Sequence, residues 1–131
     1  MREALRQRCN DIEEAYEYML AYAAQGLSGD RDSQAGGELR TRLTRLASAL
    51  DGLSGVFADL IARDGLQPAD RYRDFGIVLE RDAAAASAAA HLVLAQPAIS
   101  SQLVDNLNAS IHLRALLTDL FLLDELLGTQ A

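Results

Sequence analysis

Four stretches of this chain carry apolar residues at steps of three and four, while β-branched and aromatic residues almost nowhere run together. The first pattern is one side of an α-helix repeated four times. The second removes the usual material of strands. Half of the residues are hydrophobic and only 5% are aromatic, with Ala and Leu dominant. These two residues lose least on entering a helix, so the expected fold class is all-α.

The first helix is expected over about 2–25, with Leu5, Cys9, Ile12, Tyr16, Met19, Leu20 and Ala23 as its stripe. Gly26, Gly29, Gly36, Gly37 and the polar residues among them predict a flexible loop at about 26–37. The second helix is expected over about 38–63, with Gly52 and Gly55 marking a kink or a close contact. Gly65 and Pro68 then form a stop signal. The third is expected from Ala69 or Asp70 to about Ala95, with an alanine-rich middle that lets a neighbouring backbone come close. The fourth begins between Pro97 and Ser101 and reaches about Leu127, with Gly128 as its stop. Four such helices joined by modest loops predict one domain over 1–131, an antiparallel up-down-up-down four-helix bundle.

The formal charge is −7, and all twelve basic residues are arginine. A net negative surface argues against nucleic acid, whose binding rests on neutralising phosphates, and against an anionic membrane. The apolar runs are too short or too interrupted to span a bilayer. Cys9 is a lone cysteine, so an internal disulfide is excluded. The first residues lack the apolar core of a secretory signal, and the expected compartment is the cytoplasm.

The fourth helix carries the most informative pattern. Spaced about 100° apart, Leu103, Val104, Leu107, Ile111 and Leu122 fall on one side, and Leu113, Leu116, Leu120, Leu123 and Leu127 on another. One apolar stripe serves a bundle core; a second calls for a partner, most simply another copy of the chain. The expected interface is therefore Leu113, Leu116, Leu120, Leu123 and Leu127, joined by Tyr18 and Tyr22 of the first helix, since tyrosine is favoured at interfaces.

Few residues suggest chemistry. Glu80, Ser87 and His91 fall on one side of the third helix, where a carboxylate, a hydroxyl and an imidazole would hold a small ligand or form a polar layer fixing helix register. His112, followed by Leu113 and Arg114, partly resembles the phosphorylated helix of two-component signalling proteins. That helix's acidic residue and proline are missing, as is the Lys-Gly pair of phosphotransfer domains. The Glu-x-x-His pairs of a di-iron bundle are absent, because Ala88 and Ala109 stand three residues before the two histidines. Residues 46–54 have the Ala and Gly spacing of a helix-turn-helix, yet the segment that would read DNA is apolar and acidic. No phosphate loop or nucleophile elbow is present. The expectation is a non-enzymatic interaction module without metal or cofactor: a homodimeric adaptor, assembly factor, chaperone or regulatory subunit with a protein partner. The alternatives are a small-molecule-binding bundle using Glu80, Ser87 and His91, or a phosphotransfer domain using His112.

Overall fold

A computed structural model of the chain describes residues 2–31 and 33–128. Met1, residue 32 of the expected loop and residues 129–131 at the end of the expected domain lie outside the described residues. Six α-helices account for most of the rest: α1 (Arg2–Ala24), α2 (Gln34–Leu50), α3 (Leu53–Asp64), α4 (Ala69–Leu94), α5 (Ser101–Ala109) and α6 (Ile111–Gly128). No strand occurs among the described residues. The all-α class holds, but two of the four expected helices are each two helices.

The first break replaces a continuous helix over 38–63. Asp51 turns to extended backbone (ψ 122°), and Gly52 takes a left-handed φ of 72°. A side chain at such a φ would meet its own backbone, which is why glycine stands there. The last carbonyls of α2 are not orphaned: Arg8 of α1 donates to the carbonyl oxygens of Ala49 and Asp51. Gly55 lies within α3 instead, exposed. The second break is at Ser110, whose ψ of 143° leaves the helical region. Its side-chain Oγ accepts the Leu113 N–H at 3.3 Å and opens α6. Ser100 and Ser33 do the same for α5 and α2, accepting from Leu103 at 3.0 Å and Gly36 at 2.9 Å. Each serine satisfies an amide that a helix start would otherwise leave bare.

Cross-helix contacts fix the directions. Arg2 meets Asp64, Arg8 meets Asp51 and Tyr18 meets Ala35, so α1 runs against α2 and α3. Tyr22 meets Ile99, the Asn108 side chain meets Met19 and Arg2 meets the Leu127 carbonyl, so α1 also opposes the α5–α6 stretch. Arg40 reaches Leu94 and the Phe57 ring lies beside Tyr72, which sets α4 against α2 and α3. α4 also packs along α6. Ile12, Met19, Leu39, Leu43, Phe57, Leu79 and Leu116 are wholly buried between these helices. Ala83, Ala86 and Ala90 of α4 are buried too, at helical spacing, so the alanine block contributes close helix approach.

The turn between α1 and α2 is shorter than expected, because α2 already begins at Gln34. Asp30 in this turn is buried and accepts the Ile99 amide at 2.6 Å and the Arg40 guanidinium. Arg40 also donates to the carbonyls of Leu94 and Gln96 at 3.1 and 2.9 Å. Ser101 bonds Leu27 through both its amide and its hydroxyl, at 2.8 Å each, and its hydroxyl donates to Tyr22 at 2.7 Å. Three chain segments are thereby joined at one end of the molecule.

Candidate functional site

The break at Ser110 changes which side of the last helix is free. Leu103, Val104 and Leu107 belong to α5, so a single helical projection over 101–127 joins two helices that do not share one rotation. Within α6, Leu113, Leu116, Leu120, Leu123 and Leu127 are buried in the chain's own core. The stripe expected to meet a partner is thus occupied inside the molecule. Ile111 and Leu122, assigned from sequence to the core side, are instead 76% and 47% exposed, together with Phe121 at 57% and Leu126 at 42%.

Both tyrosines expected at the interface are hydrogen-bonded within the chain. Tyr22 is wholly buried and donates its hydroxyl to the Ile99 carbonyl at 2.8 Å. Tyr18 is half-buried and donates to the Ala35 carbonyl at 2.8 Å, with the Arg42 guanidinium 5.5 Å from its ring centre. Tyr18 ties α1 to α2, and Tyr22 ties α1 to the segment leading into α5. An amphipathic hydroxyl fits that use as well as it fits an interface, and sequence periodicity does not separate the two.

On the outer side of α6, about 100° per residue places Ile111, Ala115, Thr118 and Leu122 close together, with Arg114, Phe121 and Glu125 along one edge. Arg114 and Glu125 are exposed and form no ion pair with any other described residue. Large apolar side chains grouped on one helix surface are what a docking face looks like before it is covered.

The polar set on α4 is not brought together. Ser87 and His91 border a shallow groove against α2, about 390 Å³, with Thr44, Ser48 and Asp51 across it. Glu80 borders a different groove, against α3, with Ser54, Phe57 and Arg73. Glu80 and His91 are exposed and Ser87 is half-buried, so this side of α4 is a rim and not an internal polar layer. His112 is exposed in the first turn of α6, and Asp105 is exposed on α5.

Asp119 and Cys9 carry large shifts in acidity. Asp119 is 93% buried by its 7% exposure, faces the Asp82 carboxyl from α4, and its Oδ2 meets no N–H or O–H donor. Two carboxylates can bond one another only if one keeps its proton. Burial, and then the Asp82 carboxyl, push Asp119 up to about 7. A lone aspartate inside the run Leu116, Leu117, Thr118, Asp119, Leu120 is the signal that would have flagged it. The Cys9 thiol is pushed up to about 11 by burial and by Glu13 and Asp124. Such a thiol is protonated at neutral pH and a poor nucleophile.

Among the described residues no group of three His, Cys, Asp or Glu side chains is placed to hold a metal ion, and no helix is long and apolar enough to cross a membrane. No family model, curated protein or solved structure matches this chain.

Proposed function

We propose that this chain is a non-enzymatic interaction module of the cytoplasm that acts as a homodimer, in the manner of an adaptor, assembly factor, chaperone or regulatory subunit. In this reading α2 with α3, and α5 with α6, each act as one interrupted member of an antiparallel up-down-up-down four-helix bundle. The observation that carries it is the exposure of Ile111, Phe121, Leu122 and Leu126 on a single helix whose opposite side is already buried. A surface of this kind loses water favourably when covered, at roughly 25 cal/mol per Å² of apolar area. The acidic charge and the protonated lone cysteine fit a soluble binding role better than nucleic-acid or thiol chemistry.

Sedimentation velocity over a wide concentration range tests it. The expected result is a monomer–dimer equilibrium that shifts to monomer in Leu122→Glu, with the far-ultraviolet circular dichroism unchanged. A wild-type chain that stays monomeric at the highest concentration sinks the homodimer.

A second reading has its own observation. Ser87 and His91 do share a groove with Ser48 and Asp51, and such a cleft supports binding of a small polar molecule. Native mass spectrometry of freshly purified protein would show the retained ligand as added mass, and His91→Ala would lose it. Bare protein mass in the wild type goes against this reading.

A further inference from the structure

Arg114 and Glu125 stand about three turns apart on the same exposed edge of α6, and neither has an ion-pair partner among the described residues. They lie symmetrically about the middle of the helix, where Thr118, Phe121 and Leu122 sit between them. Read backward, the edge presents the same sequence of groups with the charges exchanged: acid, apolar centre, base.

A surface with that property is complementary to itself. When two copies of α6 lie antiparallel about a two-fold axis through their midpoints, Arg114 of each falls opposite Glu125 of the other. The same operation brings Phe121 and Leu122 of both copies together at the axis. Any different partner would have to present an acid and a base at this one spacing around an apolar centre; a second copy does so by construction.

Resting on the self-association proposed above, we infer that the dimer forms by antiparallel pairing of α6 with α6, its register set by two symmetric Arg114–Glu125 ion pairs. The apolar centre supplies most of the attraction, and the charges at either side exclude other registers, as polar rims do at protein interfaces. An 18-residue helix is about 27 Å long. A contact of that length sits at the small end of specific interfaces, on the order of 1,000 Å² in total. The dimer is therefore expected to be weak and concentration-dependent.

Charge reversal tests the register directly. Arg114→Glu sets acid against acid twice in each dimer, and Glu125→Arg sets base against base twice. Each variant alone is expected to raise the dimer dissociation constant roughly tenfold, since exposed pairs contribute modestly and reversal adds repulsion to the loss. Mixing the two variants restores both attractions, so an equimolar mixture is expected to form the mixed dimer with about wild-type strength. Native mass spectrometry distinguishes that species if one variant carries a mass label. The difference between variants should also shrink in molar salt. Should the wild type dimerise while neither reversal weakens it, the register is wrong though the self-association stands. Single variants weakened without rescue in the mixture would overturn it equally. A wild type that is monomeric throughout removes the reading on which the register rests.

Discussion

Asp30 Oδ1 accepts the backbone amide of Ile99 at 2.6 Å, across sixty-nine positions of chain. Its other oxygen takes the Arg40 guanidinium, so one buried carboxylate ties the first turn to α2 and to the approach of α5. Replacing it with alanine leaves a buried amide and a guanidinium without their acceptor. The expected loss is about 3 kcal/mol of unfolding free energy, read by urea denaturation. A change under about 0.5 kcal/mol would mean that the carboxylate is not engaged in this way.

The same residue makes the fold acid-sensitive. Burial raises the Asp30 carboxyl, but the Arg40 and Ile99 hydrogen bonds and the Arg40 charge outweigh it and hold it below 3.8. An acid depressed on folding contributes stability that is present above its unfolded pKa and is lost as pH falls through its folded value. Acid titration of stability below about pH 4 should therefore be steeper in the wild type than in Asp30→Asn.

Asp119 works in the opposite sense. Its carboxyl rises from 3.8 to about 7 on folding, so the folded chain holds the proton more tightly than the unfolded one. The contribution is full below about pH 4 and fades as pH climbs to about 7. Asp119→Asn, which keeps the shape without the charge, is expected to gain on the order of 1 kcal/mol over wild type at pH 8, and much less at pH 4. Equal differences at the two pH values would rule out the acid pair.

The two sides of α6 should respond differently to substitution. Leu116 is wholly buried, and Leu116→Ala is expected to cost about 2–5 kcal/mol through lost burial and an unfilled cavity. Leu122→Glu lies outside the core and should leave stability within about 0.5 kcal/mol while weakening self-association. Thermal melts and sedimentation on the same two proteins check both halves of this statement.

Cys9 should resist alkylation. With its thiol held near 11 against an ordinary 9.0, the reactive thiolate below that pH is about a hundredfold scarcer than for a free cysteine. Iodoacetamide labelling is expected to be slow in the folded chain and to speed up by about that factor in urea.

Helical class was legible because the stripes of α1, α3 and α4 are nearly continuous, and because Gly65 and Pro68 punctuate the chain. The break at Gly52 had a visible cause, a residue tolerant of positive φ. The break at Ser110 had none. Serine sits in helix interiors as well as at their starts, and only its bond to the Leu113 amide reveals the second use. That one break reverses which side of α6 is free, because no single rotation describes the side chains of α5 and α6 together. The polar turn around Asp30 misled in a different way. Glycine and small polar residues announce a loop, but the partners that fix Asp30, at Arg40 and Ile99, come from far along the chain. Ser87 and His91 do share a groove; Glu80 does not, since one helix side can span two neighbours.

The hydrogen bonds through Tyr22, Asp30, Arg40, Ile99 and Ser101 all lie at one end of the molecule. The opposite end has Arg2 holding Asp64 and the Leu127 carbonyl, each at 3.0 Å, beside a cleft of about 320 Å³ bordered by Leu5, Cys9, Leu60 and Leu123. Opening that begins at the Arg2 end and stops at the Asp30 end, like a hinged book, is the expected local unfolding. Amide protons of α6 near Leu127 and of α3 near Asp64 should exchange with solvent long before those of α5 beside its tied entry.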